Sequence, residues 1–284
     1  MTVRQKALEM LRTAGTQPDD RIDLAETALA LAVLDVPDAE FEPYRQHLAQ
    51  LAAQVHDTVL DRLGATPSLQ DRIAVLRAVL VEHHGYQGDS ETYEDLDNAN
   101  LMRVIDRRKG LPVALGILFI HAARSQGWEM VGLNFPGHFL IRMDHDGDRA
   151  ILDPFNQIET KSPQDLRELL KQTAGLTAEL TPDHYAPVSN RDVLLRLQNN
   201  LKLRHLRDNR ADKAAEVVEN MLLFAPDQPA LWREAGLLNA HVGNLGSAIK
   251  AFETFMEMGK RLGTSAQLLH QTATLVQQLK TRLN

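Results

Sequence analysis

The sequence predicts an α+β protein that is mostly helical, with a small antiparallel sheet in its middle. Three observations carry that prediction. Apolar residues recur at helical spacing from Thr2 to Leu63 and again after Thr160. Between these stretches, Met130 to Leu133, Phe139 to Met143 and Arg149 to Leu152 are short apolar runs. They are bounded by Pro136-Gly137, Asp146-Gly147 and Asp153-Pro154, which is strand punctuation. Near the C-terminal end the chain repeats itself at an offset of 34 residues, laying Ala214 on Ala248, Val218 on Phe252 and Met221 on Phe255.

In chain order, Pro18, Pro37 and Pro43 divide the first stretch into two or three helices. Ser68, after Pro67, is placed to cap a helix running to Glu82, which His83-His84-Gly85-Tyr86 ends with a glycine at the expected stop. Gln87 to Asp97 is acidic and polar and reads as an ordered loop with short helical pieces. A central helix begins at Gly110-Leu111-Pro112, with proline in the first turn, where a missing N–H is tolerated. The three strands follow, then a return to helix and a loop over Leu180 to Asn190 that holds Pro182 and Pro187.

The 34-residue offset is the tetratricopeptide period, in which helix pairs stack through small residues. The expected pairs are Arg191 to Asn209 with Ala211 to Phe224, and Pro229 to Val242 with Leu245 to Met258. A terminal helix, Ala266 to Leu283, follows them. We therefore expect two domains, 1–182 with a helical N-terminal lobe and 183–284 built of helical hairpins.

Composition narrows the function. At 284 residues the chain has room for one large or two smaller domains, at roughly 150 residues each. With 44% hydrophobic and 24% charged residues, 16 Gly and 12 Pro, it is not disordered, collagen-like or low-complexity. A net charge of −7 lacks the positive field of a nucleic-acid binder, so no nucleic-acid partner is expected. There is no cysteine, which excludes disulfides, thiolate metal sites and a thiol nucleophile. Met1 to Leu11 carries Arg4, Lys6 and Glu9 and no continuous apolar stretch, so no secretory leader and a cytoplasmic location are expected. Leu111 to Ile120, the most apolar run, is ten residues long against the roughly 20 a membrane span needs, so it reads as a buried helix.

Chemistry concentrates between Gly110 and Phe155. If Asp144-His145-Asp146-Gly147 is a four-residue hairpin loop, Met143 pairs with Asp148 and His138 falls opposite Asp153. Directly opposed residues bring their Cβ atoms to about 4.5 to 5.5 Å, which suits an imidazole oriented by a carboxylate. His83-His84 with the acids Asp89, Glu91, Glu94, Asp95 and Asp97 reads as loop contacts to the cleft, not a metal site. Asp144 to Asp148 lacks calcium-loop spacing and reads as a turn. Arg103, Arg107, Arg108 and Lys109 read either as a solvated helix face or as a patch that steers an acidic ligand. No metal and no cofactor is expected.

The runs Asn98-Ala99-Asn100-Leu101, Arg107-Arg108-Lys109-Gly110-Leu111-Pro112, Pro136-Gly137-His138-Phe139 and Leu152-Asp153-Pro154-Phe155 precede the repeat-like helices. Together they resemble the bacterial SirB family, a transglutaminase-like domain fused to tetratricopeptide repeats. The resemblance implies a papain- or transglutaminase-like core, a central helix on a small antiparallel sheet. It implies His138 and Asp153 as the base and its orienting acid, and it places the nucleophile at the position of Pro112. Proline has no nucleophilic atom, and Val113, Ala114, Leu115 and Gly116 add no hydroxyl or thiol. The remnant cleft would be lined by Asn100, Gly110, Pro112, Gly137 and His138. Three readings of the pair stay open: a structural hydrogen bond, a ligand pocket, or a base that activates water for amide or ester hydrolysis. The expected function is a non-catalytic adaptor that takes a protein or peptide partner on its helical repeats.

Overall fold

The structure, a computed structural model, describes residues 1–36, 39–62 and 66–283. The break expected at Pro37 and the end of the helical run at Leu63 lie outside the described residues. The chain divides into two compact units: Met1–Met10 with Pro18–Leu197, and Leu11–Gln17 with Gln198–Asn284.

The described residues of the N-terminal region form α1 Val3–Thr16, a 3-10 turn at Asp19–Arg21, α2 Leu24–Asp35 and α3 Glu42–Arg62. Pro43 lies in the first turn of α3 instead of ending a helix, a position that tolerates proline. Ser68 caps α4 (Leu69–Leu76) as expected. Its hydroxyl accepts from Asp71 N at 3.3 Å and its own N–H donates to the Asp71 carboxylate at 3.0 Å. The helix then widens into π-helical turns over Arg77–His83 and stops before Gly85, whose φ is +75°.

The acidic loop contains a two-residue strand, β1 (Gln87–Gly88), and a 3-10 turn at Leu96–Ala99. α5 (Leu101–Arg107) follows, then β2 (Lys109–Gly110), which pairs in parallel with β1. α6 (Pro112–Arg124) is the expected central helix, and every residue from Pro112 to Ile120 is buried.

β3 (Glu129–Gly132), β4 (Ile141–His145), β5 (Asp148–Asp153) and β6 (Glu159–Thr160) form an antiparallel sheet in that order. Three of these strands are the expected ones, and β6 is an addition. Gly116 lets α6 approach the sheet closely, since a Cβ there would stand 2.5 Å from the Phe139 ring. The other face of the sheet is covered by α7 (Pro163–Ala174), whose Leu166 and Leu170 pack with Leu133, Phe135 and Leu140.

The hairpin register departs from expectation. The turn is two residues, Asp146-Gly147, so His145 pairs with Asp148 and Met143 with Ala150. Both turn residues have positive φ, +50° and +86°, the conformation whose twist matches that of the flanking strands. The register is shifted by two from the expected pairing, and because side chains alternate with period two, each keeps its expected face.

The helices after the sheet follow the sequence reading closely. α8 is Asn190–Arg207, α9 Ala211–Phe224, α10 Pro229–His241, α11 Leu245–Leu262 and α12 Ala266–Leu283. The residues superposed by the 34-residue offset share one environment: Ala214, Ala248, Val218, Phe252, Met221 and Phe255 are all buried. Gly236 of α10 lies against the Phe252 ring of α11, where a Cβ would come within 2.5 Å. Among the described residues no helix is long and apolar enough to cross a membrane.

Candidate functional site

Asp153 closes β5 and is 2% exposed. Its Oδ1 faces His138 Nε2 at 2.9 Å and accepts from Phe155 N at 3.1 Å and Asn156 N at 3.4 Å. Oδ2 accepts from Asn156 Nδ2 at 2.7 Å, with Lys161 Nζ at 3.6 Å. Burial alone pushes this carboxyl up. The His138 hydrogen bond and charge, the Asn156 bond and the Lys161 ammonium outweigh it and hold the group below the usual carboxylate range. An ionised carboxylate only accepts, so His138 Nε2 donates to Asp153. Nδ1 makes no hydrogen bond among the described residues, and the His138 side chain is 16% exposed.

His138 stands in the turn ahead of β4, and two features fix that turn. Gly137 has φ +70° and lies so close to Thr173 that a Cβ would stand 2.7 Å from its side chain. Arg196 of α8 donates through Nη2 to the carbonyls of Phe135 at 2.9 Å and His138 at 2.7 Å. Its guanidinium also lies 5.6 Å from the Phe139 ring centroid, and burial lowers its pKa from the ordinary arginine value. The Phe155 ring stands edge-on to His138 at 6.4 Å.

The other expected site residues are placed as follows. Pro112 is buried at the head of α6, and the turn it begins holds no hydroxyl or thiol. Gly110 packs against Val104 and pairs with Gly88. Asn100 is buried and occupied by the fold: its Oδ1 caps α5 at Met102 N and Arg103 N, and its Nδ2 donates to Ala32 O at 3.0 Å. The structure thus brings His138 and Asp153 into contact, while the polar atoms of Asn100 are engaged elsewhere.

Sequence reasoning missed Asn156, Lys161 and Arg196. Asn156 follows the Asp153-Pro154 turn closely enough to have been found, because Asx side chains bond locally. Arg196 is 58 residues from His138, and no local pattern announces it. His84 turns to Gln54 and His47 of α3. Asp144 bridges Arg142 and Arg149, at 2.7 and 2.8 Å. Among the described residues, no three His, Asp or Glu side chains converge as a metal site.

A helix headed by a buried proline, packed on an antiparallel sheet that presents a His–Asp pair, and followed by paired helices, defines a transglutaminase-like domain with tetratricopeptide repeats. Comparison with known proteins agrees. Residues 42–199, more than half the chain, match the transglutaminase-like superfamily, and residues 201–283 match a tetratricopeptide repeat family. A UPF0162 protein of Vibrio cholerae is 31% identical over 239 residues, 84% of this chain and 87% of that one. A UPF0162 protein of Xylella fastidiosa is 29% identical over 262 residues, 90% and 91% of the two chains. Protein SirB1 of Salmonella typhimurium is 26% identical over 191 residues, 67% and 71% of the two. The chain belongs to the SirB family of transglutaminase-like proteins. Among solved structures, the menin crystal structure matches with a TM-score of 0.41 and 9% identity, covering 91% of this chain and 70% of that one. A likeness of that degree fixes neither fold nor function.

Proposed function

We propose that this chain is a non-catalytic transglutaminase-like protein that captures a protein or peptide partner on its tetratricopeptide helices. The observation that carries the reading is Pro112, buried where the resemblance calls for a nucleophile. A base and its orienting acid cannot transfer an acyl group without an atom to attack the carbonyl. Tetratricopeptide repeats generally mediate protein–protein contacts, and this repeat region exposes apolar side chains. Leu203 and Leu206 of α8 are 51% and 37% exposed, and Leu237 of α10 is 41% exposed. The two helices are tied by the Lys202–Glu234 ion pair at 2.7 Å.

Point variants test this better than truncation, because Leu11–Gln17, which includes the end of α1, belongs to the repeat unit and would be left behind. Leu203→Asp with Leu237→Asp is expected to abolish crosslinking to the partner without lowering the melting temperature, while His138→Ala leaves crosslinking intact. Loss of capture in His138→Ala with capture preserved in the leucine variant would overturn the proposal.

A second reading, hydrolysis of an amide or ester by activated water, is favoured by one observation. His138 Nδ1 is unoccupied while Nε2 is held by a buried carboxylate, the posture of a general base. It needs in addition two donors for the oxyanion. It predicts turnover that His138→Ala and Asp153→Ala both remove while remaining folded.

A further inference from the structure

The basic cluster ahead of the central helix separates into two kinds of residue. Arg107, Lys109 and Arg103 each have an acid, Asp89 at 2.8 Å, Glu91 at 3.1 Å and Asp97 at 3.9 Å. Arg108 has none among the described residues. Its Nη1 instead donates to His47 Nε2 at 2.7 Å and to the Tyr86 hydroxyl, and its guanidinium lies over the Tyr86 ring at 4.9 Å. A guanidinium only donates, so His47 Nε2 must accept and the ring is neutral, with its proton on Nδ1. The remaining donors of Arg108, Nε and Nη2, make no hydrogen bond among the described residues and are not sealed from solvent.

Two features of the backbone serve this arrangement. Arg108 is left-handed, φ +60° and ψ +17°, at a helix end where glycine is usual, a conformation that costs an ordinary residue about 1 kcal/mol. The π-helical turns over Arg77–His83 lead directly into His84 and Tyr86, and such turns concentrate at functional sites. Strain and an irregular helix meet at one guanidinium.

Arg108 lines a cleft of about 810 Å³, within the range of small-molecule sites. Arg103, Glu40 and Asp106 line it too, as does Tyr44, whose hydroxyl donates to Asp106 at 3.0 Å. Val36 and Ile105 give it an aliphatic wall. A phosphate dianion here would face Glu40 and Asp106, whereas a ligand carrying both charges complements both pairs. The planar fork of arginine suits a carboxylate.

We propose that this cleft binds a small zwitterion, a free α-amino acid or a short peptide with both ends unblocked. Its carboxylate sits on Arg108 and its ammonium is directed to Asp106 and Glu40. The test is calorimetry on the full chain with pools of free amino acids, L-alanyl-L-alanine, the amide and N-acetyl forms of that dipeptide and of any amino acid that binds, and inorganic phosphate. Saturable binding of a zwitterion is expected, weakened at least about tenfold by amidation of its carboxylate or by Arg108→Gln, equivalent to about 1.4 kcal/mol. Asp106→Asn, an exposed change that keeps an acceptor for Tyr44, is expected to weaken it as N-acetylation does. Binding by amino acids alone or by the dipeptide alone distinguishes the two sources. No saturable zwitterion binding, equal binding of the amide, or tighter binding of phosphate would overturn the proposal, and none of these depends on whether Arg108→Gln folds.

Discussion

At the scale of single residues, the acid limb of stability has two distinct windows. Burial, then the Arg108 charge, then His84, push His47 down to about 4; burial, then Arg108 and His83, do the same to His84. Both start from an ordinary value of 6.5, so between pH 6.5 and 4 the unfolded chain binds protons that the folded chain refuses. Stability therefore falls as the pH drops through that window, and in His47→Gln/His84→Gln the slope of melting temperature against pH is expected to flatten there. Asp89 adds a lower window. Burial raises it, but bonds from Thr92 and Asn98 and the Arg107 charge bring it to about 2, so its contribution holds above the ordinary 3.8 and is lost below it. Asp153→Ala removes a buried acceptor from Asn156, Phe155 and His138 and is expected to destabilise by about 3 kcal/mol in denaturant titration at pH 7. Little of this was legible in the sequence. The contact of His138 with Asp153 was legible, but as a directly opposed strand pair; in the observed register His138 reaches the carboxylate from the turn ahead of β4. Arg108 was legible only as one member of a basic run, since nothing local tells an arginine with an acid from one without.

At the scale of elements, boundaries were legible wherever chemistry marks them. Ser68 with Asp71 made a capping box, Pro112 opened α6, and Ala211–Phe224 and Ala266–Leu283 run as expected. What escaped were elements too short to have a period: β1, β2 and β6 are two residues each, and their pairing is set by neighbours. The hairpin escaped for a different reason. Asp146-Gly147 by itself signals a two-residue turn, whereas the expected four-residue loop also took in Asp144 and His145. Those residues are strand members, Asp144 being drawn in by Arg142 and Arg149. Close approach between elements gives direct tests. Gly116→Val would drive a side chain into Phe139 and is expected to destabilise by about 3 kcal/mol or prevent folding, read by thermal denaturation. Gly137→Ala meets both Thr173 and a positive φ, with an expected loss of about 1 to 3 kcal/mol.

At the scale of the molecule, chemistry-like and partner-like features fall in different units. The His138–Asp153 pair lies in the unit that includes Pro18–Leu197, and the exposed leucines of α8 and α10 lie in the unit that includes Gln198–Asn284. Variants in one are therefore expected to leave the property of the other intact, which makes the adaptor and hydrolase readings separable. The sequence reading places the boundary at 182/183, whereas the compact units part at 197/198 and Leu11–Gln17 goes with the repeat helices; a fixed period advertises the repeats, but nothing local assigns that N-terminal segment or announces a clamp such as Arg196. The most direct test of the central claim is a sensitive amide- and ester-hydrolysis and amine-transfer assay. It would compare the purified chain with His138→Ala and Asp153→Ala, with the fold of all three verified by circular dichroism. The account predicts no turnover above buffer in any of them. Turnover by the parent chain that vanishes in folded His138→Ala would contradict it and make water the nucleophile that Pro112 is not.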